Sequence, residues 1–135
     1  MVHVLRQIHK ALKPDGVLLD VHPLPKAPPL EVWRGEDRTL VDYLDWEHAI
    51  ELIENARRVL NSVVDEGLFT RRARRFFDLH ETFPSVDAWL EHRREFDEQG
   101  AIRRDLLASA RREMRKPGGT LVITERIRAT VLGKQ

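Results

Sequence analysis

The stretch that decides the fold is residues 4–20, which read VLRQIHKALKPDGVLLD. Its first half places apolar residues on one helical face and polar or basic residues on the other, which predicts an amphipathic helix over 4–12. Residues 14–16, Pro-Asp-Gly, end that helix because proline cannot continue it and Asp-Gly turns the chain. The short apolar run at 17–21 favours a strand buried on both faces, as in a parallel sheet flanked by helices.

Outward from this stretch, the chain alternates between strand patterns and helix patterns. Four prolines between His22 and Leu30 indicate an extended loop. The further elements are predicted at 31–43 (a hairpin), 45–65 (a helix ended by Gly67), 69–77 (a basic strand), from Ser85 onward (a helix with Ser85 as its N-cap), 101–116 (a helix) and 120–132 (a strand).

The last of these strands has the clearest alternation in the sequence. One predicted face is apolar and the other carries threonine and arginine. The apolar face consists of Leu121, Ile123, Ile127, Ala129 and Val131, and the polar face of Thr124, Arg126, Arg128 and Thr130.

Length and composition limit the class of protein. The 135 residues are enough for one domain over 1–135, and 41% apolar with 33% charged residues is typical of soluble globular chains. No apolar run approaches the roughly 20 residues that cross a bilayer, so we expect no membrane span and a cytoplasmic location. The absence of cysteine excludes disulfides, thiolate catalysis and cysteine-based metal sites. A net charge of +1 gives no general attraction to nucleic acid.

Residues 4–20 resemble one segment of the class I S-adenosylmethionine-dependent methyltransferases. In that family a helix ending in Leu-Lys-Pro-Gly-Gly leads into the fifth strand of a doubly wound sheet; Asp15 here replaces the first glycine. The resemblance implies that 68–77 is equivalent to the sixth strand and 120–132 to the antiparallel seventh. The expected fold is α/β, an incomplete Rossmann-like methyltransferase sheet of the fifth, sixth and seventh strands, with flanking helices and the 31–43 hairpin and 85–116 helices as insertions.

The resemblance covers only the C-terminal half of the family, and the cofactor is held by the other half. There a glycine-rich loop and an acidic residue bind S-adenosylmethionine, whereas the seven glycines here form no GxGxxG spacing. We therefore assign no cofactor-binding residue and expect no S-adenosylmethionine binding by this chain alone. Two functions follow from the resemblance: a binding or assembly module without activity of its own, or a methyltransferase fragment that binds the cofactor once the missing half is supplied. Whether the chain is an enzyme stays open.

The 17–21 strand has a further consequence for partners. Without the neighbour that the fourth strand provides in the family, one row of its backbone N–H and C=O groups lies open beside an apolar surface. The proline-rich loop or the hairpin is one possible cover; otherwise we expect self-association, with a homodimer through this edge as the commonest outcome.

The candidate binding residues are Asp20, His22, Trp33 and Tyr43. His22 follows the predicted strand at the end where open α/β sheets bind ligands, and Asp20 lies on the same strand face. These four side chains would line a small-molecule pocket in which the imidazole serves as a base. The alternative is that His22 only begins the proline loop and Asp20 caps a backbone group. The scattered histidines and the lack of a Gly-x-Ser-x-Gly motif predict no metal ligand and no catalytic residue.

Arginines cluster at 71–75, 103–104 and 111–115. One interpretation is a phosphate or RNA contact surface on which Phe76 and Phe77 stack. The other is a set of solvated faces whose arginines pair with nearby carboxylates such as Glu66, Asp105 and Glu113. Because alternate residues of a strand face opposite ways, the 71–75 run does not form one patch. We favour the solvated faces and expect no nucleic-acid partner.

Overall fold

The computed structural model describes residues 1–96 and 101–135. In this part of the chain four helices and five strands form an α/β fold with an open antiparallel sheet, as the coarse prediction of fold class requires. The elements are α1 (Val2–Ala11), β1 (Val17–Pro23), β2 (Pro29–Arg34), β3 (Asp37–Tyr43), α2 (Glu47–Asp65), β4 (Phe69–Phe83), α3 (Val86–Glu95), α4 (Arg104–Met114) and β5 (Thr120–Lys134). The part of the predicted helical insertion at 97–100 lies outside the described residues.

The last strand, β5, organises the sheet. Its C-terminal part pairs antiparallel with β1, from Val17 opposite Gly133 to Pro23 opposite Ile127. Its N-terminal part, residues 120–123, pairs antiparallel with β2, and β2 continues into the β2–β3 hairpin. The remaining strand, β4, also pairs with β5.

The chain divides into two compact units. The first contains Met1–Lys26, Glu47–Asp78 and Arg126–Gln135, and the second contains Ala27–Trp46 and Leu79–Glu125. Both long strands, β4 and β5, therefore contribute one part to each unit.

In the first unit the helices α1 and α2 pack on one face of the strands. The buried core residues are Leu60 and Val63 from α2, Phe69 from β4 and Leu132 from β5, and Leu18 of β1 packs against them. The C-terminus of α2 is closed by Gly67 at φ +77°, a left-handed conformation that glycine adopts without strain. The amides of residues 67 and 68 bond back to the carbonyls of residues 64 and 63, which is the Schellman arrangement.

In the second unit α3 and α4 pack on the β2–β3 hairpin and on β4 and β5. The core is built around Trp89, which is 1% exposed. Its buried companions are Leu30, Val32, Phe83, Val86, Leu106, Ala110, Leu121 and Ile123. Ser85 caps α3 as predicted: its hydroxyl accepts a hydrogen bond of 3.0 Å from the Ala88 amide. Gly35, at φ +57°, lies in the predicted hairpin turn.

The prediction that the 17–21 strand is buried on both faces of a parallel sheet is wrong. β1 pairs antiparallel, and Val17, Leu19 and Val21 are 49%, 60% and 51% exposed. Only the face that carries Leu18 is covered, because in the first unit the helices lie on that face. An apolar run alone does not tell a strand covered on two sides from one covered on one side.

Two other strand predictions need correction. The basic strand does not end at residue 77 but continues to Phe83, with residues 70–80 exposed throughout. In β5 the buried residues of the first unit include Thr130 and Leu132, whereas Ala129 and Val131, predicted to face the core, are only half-buried. The reason is that α1 and α2 cover the even-numbered face here, while Leu121 and Ile123 belong to the core of the second unit.

The remaining predicted elements are confirmed with small shifts at their ends. The hairpin is at Pro29–Tyr43, the long helix begins at Glu47 instead of residue 45, and α4 begins at Arg104 instead of residue 101. Over the described residues, no helix is both long enough and apolar enough to cross a membrane.

Candidate functional site

The structure brings together Asp20 and His22, two of the four predicted site residues. They are two positions apart in β1, so their side chains lie on the same strand face, the one covered by the helices. His22 Nδ1 is 3.2 Å from Asp20 Oδ1 and forms a hydrogen bond with it. Both side chains are largely buried, with 16% and 22% of their surfaces exposed. The two residues share a strand face, as predicted, and are in contact.

The other ring nitrogen of His22 meets an arginine from the neighbouring strand. Arg128 lies directly opposite His22 in the β1–β5 register, and its Nη2 is 2.7 Å from His22 Nε2. Because a guanidinium can only donate, Nε2 accepts and the ring proton is on Nδ1, from which it is donated to Asp20. Both ring nitrogens are thus occupied, and the imidazole in this arrangement has no free lone pair with which to act as a base.

Arg128 carries the least compensated charge of this group. Burial lowers the pKa of Arg128 below the ordinary arginine value. The carboxylate of Asp20 raises this pKa, whereas the positive charges of Arg74, Arg57 and Arg71 lower it further. Its Nε is buried without a hydrogen-bond partner, as is Asp20 Oδ2, which lies 3.1 Å from His22 Nδ1 without forming a second hydrogen bond. A buried N–H without an acceptor is costly and rare in folded proteins.

The side chains of β4 extend this polar region. Contacts of β4 with β5, such as Arg126 Nη1 to Asp78 Oδ1 at 3.0 Å and the Gln135 amide to the Leu68 carbonyl at 3.1 Å, fix the pairing of the two strands. Phe76 lies beside Arg126, whose guanidinium is 5.9 Å from the ring centre. Thr130, which is 2% exposed, lies opposite Asp20 in the β1–β5 register.

The helix α2 adds a further arginine to this polar region. Arg57 is one turn before Asn61, and Asn61 Oδ1 accepts a hydrogen bond of 2.5 Å from Arg71 Nη2. The charges of Arg57 and Arg71 both contribute to the lowered pKa of Arg128. We call Arg57, Arg71, Arg74 and Arg128 the arginine cluster.

The predicted pairing of arginines with carboxylates holds only in part. Acidic partners are found for Arg6 (Glu66), Arg103 (Asp42 and Asp105), Arg111 (Asp87) and Arg126 (Asp78). In the 71–75 run, by contrast, no arginine forms an ion pair with a described residue, and the partner of Arg71 is the neutral Asn61. Glu66, one of the carboxylates predicted to pair with the clustered arginines, pairs instead with Arg6.

Trp33 and Tyr43, the other two predicted site residues, lie in the second unit and do not meet each other. They are at opposite ends of the β2–β3 hairpin, where Trp33 pairs with Arg38 and Tyr43 with Pro29. Trp33 Nε1 donates to Glu31 at 3.0 Å, and the Arg38 guanidinium lies 4.0 Å from the indole ring centre. Tyr43 is 48% exposed.

Sequence reasoning missed Arg128, Arg74 and Arg57 as members of the site. The alternation of the last strand places Arg128 on a polar face, but nothing in the sequence shows that this strand pairs with β1 in a register that opposes Arg128 to His22. A pairing between residues 106 positions apart is set by the tertiary fold and leaves no local pattern.

The free edge of β1 is the second notable surface of the first unit. In the described residues β1 pairs with β5 alone, and it is the last strand in the sheet order on its side. Its outward face carries Val17, Leu19 and Val21, each about half exposed. The predicted open edge beside apolar side chains is therefore present.

The described residues were compared with the ligand sets of a metal site and of a glycine-rich nucleotide loop. Over 1–96 and 101–135, no three His, Asp or Glu side chains lie close enough together to hold a metal ion. The described glycines with positive φ are Gly35, Gly67 and Gly118, located in a hairpin turn and after two helices, so none forms a phosphate-approach loop between a strand and a helix. In comparisons with known proteins, no family matches the sequence, no curated protein matches it, and no solved structure matches the fold.

Proposed function

We propose that this chain is the C-terminal half of a methyltransferase-like fold and acts as a homo-oligomeric assembly module that does not bind S-adenosylmethionine by itself. The order of elements supports the first part. A helix and strand (α1–β1) precede a second helix and strand (α2–β4), and an antiparallel strand (β5) follows, in the order that the resemblance implies for the fifth to seventh strands. The β2–β3 hairpin and the α3–α4 pair occupy the positions of the insertions.

The observation that carries the proposal is the exposed apolar edge of β1. A terminal strand with unpaired backbone groups and a row of exposed aliphatic side chains is a template for adding another strand. We assign that place to a second copy of this chain. Two β1 strands that pair antiparallel about a two-fold axis at Leu19 bring Leu19 against its own counterpart, and Val17 against the counterpart of Val21. The row is self-complementary because it is aliphatic throughout and symmetric about its centre.

A charged substitution in that row tests the assembly. We expect the wild-type protein to be a dimer by light scattering at micromolar concentrations and Leu19→Lys to be a monomer, because pairing would bury two lysines against each other. Leu52→Lys is the matched control: Leu52 is exposed to a similar extent, 55%, but lies on α2, and this variant should remain a dimer. Far-ultraviolet circular dichroism verifies that all three proteins are folded.

The proposal fails if the wild-type chain is a monomer at every concentration, or if Leu19→Lys still forms dimers. The cofactor part is tested separately by calorimetric titration with S-adenosylmethionine. We expect no binding, because the glycine and acidic residues that hold the cofactor in the family have no equivalents among the described residues. Micromolar binding by the purified chain would refute this part and leave the assembly result standing.

A further inference from the structure

We propose that β4 binds an acidic, extended peptide along the edge that β5 does not occupy, and that this peptide adds to the sheet as a further strand. The partner segment carries carboxylates on both of its faces and continues into apolar residues. This inference goes beyond assembly through β1, because it concerns a different strand and a different kind of partner.

The backbone of β4 has an unpaired edge. Within the part of the chain that the structure describes, β4 pairs with β5 alone, so no strand lies beside the N–H and C=O groups on its other side. Residues 70–78, the part of β4 in the first unit that follows Phe69, are exposed throughout. A long strand with an open edge is a template for pairing with another segment.

The side chains along this edge select the charge of the partner. Residues 70–77 include four arginines and no carboxylate. One arginine donates to a neutral amide, that of Asn61, and among the described residues the other three, Arg72, Arg74 and Arg75, form no ion pair. Opposite charges on adjacent strands attract each other, so an acidic segment beside β4 supplies the carboxylates that these arginines lack.

The arginines point to both faces of the strand. Arg71 turns towards α2, where it donates to Asn61. Arg72 lies over Gly133, in the space that a side chain there would fill, and Gly133 faces away from the helices because the preceding residue, Leu132, packs on their side. A nucleic acid on one face of the sheet would contact only one of these arginines, whereas a strand beside β4 has side chains on both faces and reaches both. The contacts therefore favour a peptide strand.

The same run excludes a second β4 strand as the occupant. Two copies paired about the centre of the run would place arginine against arginine, and like charges directly opposite each other destabilise a strand pair. Phe76 and Phe77 follow the arginines and are 47% and 45% exposed. Aromatic side chains pair favourably with apolar residues on an adjacent strand, so a partner that continues into apolar residues gains contacts there.

A synthetic peptide with the complementary pattern tests the site. The probe is the fluorescein-labelled peptide Thr-Val-Glu-Glu-Val-Glu-Glu-Val-Thr, blocked at both ends, and fluorescence anisotropy follows its binding to the full chain. The control peptide has the same side chains and N-methyl groups on three consecutive central backbone nitrogens, so it lacks donors on whichever edge faces β4. We expect the control to bind at least about tenfold more weakly, because it loses backbone hydrogen bonds but no charge.

Substitutions in β4 test the two faces separately. Arg71→Ala and Arg72→Ala should each weaken binding of the probe about two- to fivefold, the effect of losing one cross-strand ion pair. The matched control Arg104→Ala removes the same charge from an exposed position on α4 and should change the affinity less than about twofold. Leu19→Lys, the variant of the β1 row, should bind the probe as the wild type does, which separates this site from assembly through β1.

Hydrogen exchange locates the added strand. In NMR spectra of the wild-type chain, the probe should slow the exchange of alternate backbone amides between residues 70 and 77, because every second N–H of an edge strand points outward. Equal binding of the probe and the N-methylated control would overturn the proposal, since it is the behaviour of a diffuse positive surface. A uridine octanucleotide that binds more tightly than the probe would assign the arginines to a nucleic acid, and slowed exchange confined to β1 would assign the peptide to the other edge; either result also overturns it.

Discussion

The two units bury their apolar side chains to different extents. In the second unit the core around Trp89 draws on both hairpin strands, on α3 and α4, and on parts of β4 and β5. In the first unit the fully buried core is smaller and comes from α2 and one end each of β4 and β5. Large apolar side chains left exposed in the first unit are Met1, Val4, Val17, Leu19, Val21, Leu52, Phe76 and Phe77, against Leu40, Tyr43, Leu79 and Phe96 for the described part of the second.

This difference indicates where binding is to be expected. In the second unit, α3 and α4 pack against five buried apolar strand residues, Leu30, Val32, Phe83, Leu121 and Ile123. The first unit leaves one strand row apolar and exposed, and it holds the half-buried Arg128, whose buried Nε has no hydrogen-bond partner. Exposed apolar surface and buried polar groups without hydrogen-bond partners both cost free energy, and a partner or ligand that covers or bonds them removes that cost.

The largest expected loss of stability comes from a substitution in the core of the second unit. Trp89→Ala should lower the free energy of unfolding by about 3–5 kcal/mol, because it removes a side chain that is 1% exposed and leaves a cavity. Urea denaturation measures the loss. Native-state hydrogen exchange shows where it acts: amides of β2 and α4, which share the Trp89 core, should exchange faster.

Phe69→Ala is the counterpart in the first unit, since Phe69 is also 1% exposed. Its effect on exchange should be concentrated in α1 and α2, whose side chains pack near it. If either substitution accelerates exchange equally throughout both units, the two cores are one cooperative structure and the comparison between them loses its basis.

The sequence predicted best those elements whose signals are local. The helical stripe of α2, the stop at Gly67, the Ser85 cap and the glycine turn of the hairpin each depend on a few neighbouring residues, and each is present. The exposure of β1 and the buried face of β5 depend instead on which helices cover which face. That choice is made by side chains far away in the chain, and alternation alone does not reveal it.

In the candidate site, too, the contacts set by neighbouring residues could be predicted, and those set by distant parts of the chain could not. Asp20 and His22 were predictable because residues two apart in a strand share a face. Arg128 was not, because its place beside His22 depends on the antiparallel register of β1 with β5. Trp33 and Tyr43 were grouped with the site on proximity in sequence and aromatic character, whereas the hairpin register holds them at opposite ends.

Gly67 and Gly118, one in each unit, allow the two units to be compared by a substitution whose effect on stability should not depend on the size of the core. Gly67 in the first unit and Gly118 in the second both have φ of +77°, and a Cβ at either position would meet no atom within 4 Å. Replacing either glycine by alanine should cost about 1–2 kcal/mol through backbone strain alone. We therefore expect equal shifts of the urea midpoint for Gly67→Ala and Gly118→Ala, with unchanged slopes. A clearly larger loss at one position would indicate that its turn also supports tertiary packing.

The smallest expected change in stability comes from Arg103, an arginine at the surface of the second unit, in contrast to the half-buried Arg128 of the first. Arg103 forms a hydrogen bond and ion pair with Asp42, and this pairing, together with the charge of Asp105, raises the pKa of Arg103. The backbone N–H of Tyr43 and the guanidinium of Arg103 in turn hold the pKa of Asp42 below its ordinary value. Both groups are exposed, so solvent screens the pair, and Asp42→Asn should lower the melting temperature by less than either glycine substitution.

The pH dependence of that small effect has a definite sign. Because the pKa of Asp42 is lower in the folded than in the unfolded chain, the carboxylate stabilises the fold above the unfolded value, and the contribution is lost as the pH falls through the folded value. The difference in melting temperature between wild type and Asp42→Asn should therefore be constant above about pH 5 and shrink below about pH 4. Asparagine keeps an oxygen that can accept from the Tyr43 amide, so the comparison isolates the charge. A difference that persists unchanged to pH 2 would show that the substitution acts through hairpin packing and not through the ion pair with Arg103.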